Sequence, residues 1–205
     1  AAGATLAGRY RLTAQQGRMR SVQFWRGVDT ASAQSVAITL IVPANDLTRG
    51  EVQQMLERTH RLSGLEISGL APIFATLMVG DIGMVISEWV TGGTLREVTD
   101  TGPTPTAVAA VLKSLVITAD AAHRTGMALG IDHPCRVRIS SDGRAVLAFP
   151  APMPDATAAD DLRGIGGVLY ALLVDRWPPQ TPMPDGWTPV ELEGAGWPRE
   201  PAAIR

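Results

Sequence analysis

Asp132, His133, Cys135 and Arg136 set a carboxylate, an imidazole, a thiol and a guanidinium within five residues. Each type has a chemistry. A carboxylate beside an imidazole can relay protons, a thiol can attack once ionised, and an imidazole can hold zinc. The local pattern argues against each. Asp132 precedes a turn and reads as a surface acid. His133 and His123 stand ten residues apart, with no carboxylate or thiol set at ligand spacing. Cys135 has only nearby arginines to activate it and reads as a structural thiol.

The chain has 205 residues, with 18 Lys and Arg against 20 Asp and Glu, a formal charge of −2. So balanced a surface argues against nucleic acid or anionic lipid as the main partner. Lys113 is the sole lysine. A single cysteine cannot form an internal disulfide, which fits a reducing compartment. No uninterrupted apolar run approaches the roughly 20 residues of a membrane span, so no direct membrane insertion by this piece is expected.

Apolar alternation predicts strands at Val22–Val28, Val36–Val42, Pro72–Met78 and Gly83–Glu88. Val52, Met55, Leu56, Thr59 and Leu62 recur at helical spacing among them. With an opening strand before these four, residues 1–90 read as five strands and one helix. Thr91-Gly92-Gly93-Thr94 reads as a hinge, since paired glycines suit neither strand nor helix. Beyond it, residues 91–205 predict a helix of about twenty residues through Val108, Val111, Leu112, Leu115, Ala119 and Ala122. A hairpin follows, closed by Ser141-Asp142-Gly143. Asp160–Leu173 predicts a last helix, apolar widely enough to be buried on most sides. From Pro178 onward, 7 of 28 residues are proline, so the tail is expected to be extended.

Several strings resemble bacterial Ser/Thr protein kinases, in order. Gly8–Leu12 (GRYRL) resembles their opening strand and Val36–Leu40 (VAITL) their third strand. Ser87–Leu95 (SEWVTGGTL) resembles the hinge and Ala122–Gly126 (AHRTG) the approach to the catalytic loop. Asp161–Pro178 (DLRGIGGVLYALLVDRWP) resembles the central helix of the large lobe. The resemblance spans residues 8 to 178 and implies an α+β, bilobal protein kinase-like fold.

It also implies an active site that has been lost. Of the glycine-rich loop only Gly17 remains, and it reads equally as a hairpin turn; Met19 and Val22 stand where the other glycines belong. Thr39 replaces the phosphate-pairing lysine. Its helix partner would fall near Met55, where Glu51 and Glu57 read as surface charges. Ile131 replaces the base and cannot accept a proton. Arg136 stands at a metal position, where like charges about 4 Å apart repel by roughly 4 kcal/mol at an effective dielectric near 20. Phe149-Pro150-Ala151 replaces the metal-chelating triplet. The segment to Asp160 is short, and the C-lobe is reduced. Neither metal nor cofactor is expected. An alternative remains: an atypical nucleotide sensor or weakly active kinase, whose hinge backbone at Glu88, Trp89 and Val90 could still bond adenine.

Among such pseudokinases the chain is most similar to those joined to mycobacterial MviN-type peptidoglycan-precursor flippases. That resemblance implies a phosphorylation-regulated binding module in cell-wall synthesis, at the cytoplasmic face of the plasma membrane. Its partners would be an active Ser/Thr kinase, a phosphothreonine-reading FHA-domain protein and a membrane-embedded flippase in the same polypeptide. Candidate phosphosites are Thr101, Thr104, Thr157, Thr181 and Thr188, in Gly-, Pro- or Ala-rich loops, or a site beyond Arg205.

Overall fold

The computed structural model describes residues 1–44, 47–180 and 182–189. Six strands make one antiparallel sheet: β1 (Thr5–Leu6), β2 (Tyr10–Met19), β3 (Val22–Asp29), β4 (Gln34–Ile41), β5 (Ile73–Val79) and β6 (Ile82–Glu88), in the order β1-β2-β3-β4-β6-β5. Val36–Ile41 of β4 is buried on both faces, so its apolar run is continuous and not alternating. The two-residue β1 is too short to carry a periodic signal and was not among the five strands expected.

Helix α1 (Arg49–Leu62) packs its Val52, Met55, Leu56, Thr59 and Leu62 inward. A capping box starts it: Thr48 Oγ1 accepts from the Glu51 amide, and Glu51 accepts from the Thr48 amide at 2.8 Å. Glu51 is therefore a cap and not merely a solvated charge. Glu57, on the exposed side, accepts from Gln53.

The second half holds β7 (Gly92–Thr94), α2 (Leu95–Thr99), α3 (Pro105–Arg124), β8 (Val137–Ser140), β9 (Ala145–Leu147), α4 (Ala158–Val174), β10 (Arg176–Trp177) and β11 (Thr188–Pro189). The expected glycine break is a strand, because β7 pairs with β8, Gly92 lying opposite Ser140. A Cβ on Gly92 would meet the Ile139 carbonyl at 2.0 Å, so close strand contact dictates this glycine. In the tail, β10 and β11 pair in parallel, and Trp177 packs on Trp187.

Helix α3 has the expected length and buries the expected stripe. It is long and apolar enough to cross a membrane by length and mean hydropathy. Here it serves as a core helix, burying Val108, Leu112, Leu115, Ala119 and Ala122. Helix α4 is not buried on most sides: Leu162 is 64% exposed, and Leu169 and Leu173 also face outward. The cause is its small-residue face. A Cβ on Gly164 would lie 1.7 Å from the Ile131 carbonyl, so α4 sinks in along Gly164, Gly167 and Ala171 and turns its leucines away.

One apolar cluster crosses between the halves. Val22, Phe24, Ala37 and Met55 from the first pack with Val146, Phe149 and Ala151 from the second.

Candidate functional site in the cleft

Strand β8 decides what fills the space between sheet and helices. Its side chains alternate, so Val137 and Ile139 enter the helical core while Arg138 points toward residues 89–92. Arg138 Nε donates to the Val90 carbonyl at 3.0 Å, and Nη2 donates to the Gly92 carbonyl at 3.0 Å. Nη1 reaches Gln16 Oε1 at 3.5 Å. The guanidinium lies 4.4 Å over the Trp89 ring, which Arg26 also faces at 5.0 Å. Burial pushes the Arg138 pKa down; Glu97 works against that. Sequence reasoning missed this residue. The Val90 carbonyl, expected to be free for adenine, already serves as Arg138's acceptor.

Arg136 ends a short 3-10 helix (Pro134–Arg136) and is fully buried. Its Nε donates to Asp132 Oδ1 at 2.5 Å and Nη1 to the Phe149 carbonyl at 3.0 Å. The guanidinium sits 5.1 Å from the Phe24 ring centre. Its Nη2 has no partner among the described residues. Asp132, with 29% of its side chain exposed, is accordingly not a free surface acid but the rim of an ion pair. A cation sealed in the interior needs a counter-charge, and Asp132 supplies it. Burial raises the Asp132 pKa, against the pull of Arg136.

The other named positions surround this pair. Thr39 is buried opposite Phe24, and its Oγ1 has no partner among the described residues. Ile131 is sealed in the helical core. Phe24 packs against Phe149 and His133, at 5.3 and 5.6 Å between ring centres. Met19 ends β2, and Val22 starts β3 inside the shared cluster. Gly17 is not in the hairpin turn. It lies within β2 beside a register shift, opposite Phe24, and a Cβ there would fall 2.6 Å from Cys135 Sγ. The β2–β3 turn is instead at Arg20–Ser21, with Arg20 at φ +48°.

Cavities remain: one of about 460 Å³ lined by Gln15–Arg18, His133, Cys135 and Asp185, and one of about 530 Å³ along residues 88–91. Burial, reinforced by Asp185, pushes the Cys135 thiol up to about 11, so it is protonated at neutral pH and a poor nucleophile. Among the described residues no three His, Cys, Asp or Glu side chains converge to hold a metal.

His133 accepts from the Cys135 amide through Nδ1 at 3.2 Å. Burial, and then the Arg136 charge, push its pKa down to about 3. A histidine held neutral in the fold takes up its proton first when unfolded. The stability it contributes is complete above about pH 6.5 and is lost as pH falls toward 3. Urea midpoints should show a loss of about 2 kcal/mol between pH 7.5 and pH 5. His133→Gln should flatten that slope; an unchanged slope would assign it to another group.

Beneath the cleft, Asp161 near the start of α4 fastens the backbone at 129–131. It is fully buried and accepts from the amides of Leu129 (2.7 Å), Gly130 (2.8 Å) and Ile131 (3.1 Å), with His123 Nε2 at 2.8 Å.

Thr104 and Thr157 prove to be exposed N-caps, of α3 and α4, and not free loop residues. Thr101 is exposed after α2 and donates to the Val98 carbonyl; Thr188 is exposed in β11. Thr181 lies outside the described residues.

No protein-family model matches the sequence. The structure is similar to that of the Mycobacterium tuberculosis PknI kinase domain, at TM-score 0.66 and 16% identity over 88% of this chain and 79% of that one. A further form of the same kinase domain gives TM-score 0.67 and 18% identity over 87% of this chain and 82% of that one. The apo form of PpkA-294 gives TM-score 0.59 and 13% identity over 81% of this chain and 63% of that one. The element order and these likenesses define a mixed α and β protein. Its fold is that of the protein kinases.

Proposed function

We propose that the chain is a catalytically inactive pseudokinase, with lobes at 1–90 and 91–205, a degenerate site, a shortened activation segment and a reduced C-lobe. It acts as a binding module. The observation that carries this reading is Arg138, whose guanidinium takes the Val90 carbonyl and stacks on Trp89, engaging the backbone stretch that the nucleotide-sensor reading needs for adenine. Phosphoryl transfer is mostly positioning and charge neutralisation. Thr39 offers no cation, Ile131 no base and Phe149 no carboxylate. The buried cations of the cleft, Arg136 and Arg138, are already committed to Asp132, to main-chain carbonyls and to aromatic faces.

In the fuller reading, an active Ser/Thr kinase phosphorylates the module on threonine, and an FHA-domain protein reads the mark. A phosphate brings nearly two negative charges and several acceptor oxygens, which an arginine-lined pocket can recognise. The sequence resemblance further assigns it to an MviN-type flippase, at the cytoplasmic face of the plasma membrane, in control of peptidoglycan synthesis.

Thermal melting with ATP and magnesium tests the core of this. A ligand at a hundred times its Kd adds about 2.7 kcal/mol. The wild-type melting temperature should not move, whereas Arg138→Leu should gain a response to adenosine. A magnesium-dependent rise in the wild type would overturn inactivity. An Arg138→Leu variant that ignores adenosine would assign the closure to Phe24 and Phe149 instead.

A further inference from the structure

We propose that Thr157 is a phosphorylation site whose phosphate is captured within the same chain by Arg58 and Arg61, fastening the end of α1 to the start of α4. This rests on the reading of the chain as a phosphorylation-regulated module and names the site and its effect.

The starting observation is a cavity of about 200 Å³ outside the cleft, lined by Arg58, Arg61, His123 and Thr157 together with Gly126–Ala128. Two arginines and a threonine thus line one open depression, with Arg61 and Thr157 exposed to solvent. Neither arginine has a carboxylate partner among the described residues. Arg58 makes only long bonds to main-chain carbonyls, of Met153 at 3.3 Å and Ala156 at 3.4 Å. Arg61 is exposed, and its side chain has no hydrogen bond or ion pair among the described residues. Such unneutralised cations around a hydroxyl would meet a dianion with charge-assisted bonds.

Thr157 is also accessible. It is exposed and ends the irregular stretch that leads into the 17-residue α4. Its Oγ1 donates to Asp160 Oδ2 at 2.5 Å and accepts from the Asp160 amide at 3.3 Å. In the modification Oγ1 attacks the γ-phosphorus of ATP held by a separate Ser/Thr kinase. The bond to ADP breaks, and the hydroxyl proton passes to that kinase's base. The ester can no longer donate to Asp160 Oδ2, and its bulk and charge weaken the capping box, in which Oγ1 accepts from the Asp160 amide and Asp160 accepts from the Thr157 amide at 2.9 Å. Phosphate oxygens take over as acceptors for the first-turn amides, at the positive end of the helix dipole. Opposing charges are nearby. Asp160 is paired with Arg163, Asp161 is engaged by His123 and three amides, and Asp155 lies two residues before Thr157. Arg58 and Arg61 must outweigh Asp160 and Asp155.

The direct test installs phosphothreonine at position 157 of this chain by genetic-code expansion and follows phosphorus NMR and melting temperature. Capture predicts a phosphate pKa at least one unit below the free value of about 6 and a melting temperature raised by about 2–4 °C. The Arg58→Gln/Arg61→Gln variant, its fold checked by circular dichroism, should restore the free pKa and abolish the rise. A phosphate titrating near 6 in both backgrounds overturns capture. A second arm incubates the unmodified protein with an active bacterial Ser/Thr kinase and ATP and maps the product by mass spectrometry, with phosphate at Thr157 expected. Phosphate on other threonines alone overturns Thr157 while leaving the regulated module standing. No phosphothreonine at all removes the module reading as well.

Discussion

Asp161→Ala is expected to cost about 3–5 kcal/mol, a large share of the stability of an ordinary domain, read as a fall in the urea midpoint. The substitution leaves the amides of Leu129, Gly130 and Ile131 buried without their acceptor and removes the partner of His123. Each unsatisfied buried donor costs about 1–3 kcal/mol before relaxation. Asp161→Asn keeps one acceptor oxygen and should lose less than alanine does. A loss under about 1 kcal/mol for alanine would mean that water replaces the carboxylate and that the 129–131 backbone is not held by it.

The second large effect concerns Asp132 and Arg136. Asp132→Ala strands a guanidinium with no exposed surface; breaking a fully buried pair from one side costs about 3–5 kcal/mol, and the loss here should approach the lower figure because Asp132 is 29% exposed. Replacing both, as Asp132→Leu with Arg136→Met, should cost less than the two single losses added together, because the side chains of Phe24 and Phe149 around them are apolar, although the buried Phe149 carbonyl loses its donor. A double-mutant cycle reads this as coupling. If the two single losses simply add, the pair is not what keeps Arg136 inside.

The contrast between Arg136 and Arg138 shows how far the sequence alone could go. Apolar spacing placed α1, α3, the strands β3 to β6 and the β8–β9 hairpin, because one buried face imposes its period on the residues that cover it; β2 came from the kinase-like string at Gly8–Leu12. The kinase-like strings marked Thr39, Ile131, Arg136 and Phe149 as the positions to examine. Arg138 lay two residues beyond a named position, yet its importance depends on which face of β8 it occupies and on carbonyls 46 and 48 residues away. No local pattern encodes that. Asp132 was misread for a similar reason: a carboxylate before a turn is ordinary until the Arg136 beside it proves to be sealed inside. On α4, counting apolar residues overstated burial, since glycine and alanine made the inner face and left Leu162 and Leu173 outside. A rule sensitive to small residues spaced three or four apart would have found the correct side.

The apolar cluster that joins Phe24 and Met55 to Phe149 and Ala151 means that neither half owns a complete interior. Pulling the sheet away would wet the far side of the same cluster, so partial melting gains little chain entropy while losing contacts on both sides. The two halves therefore form one cooperative unit.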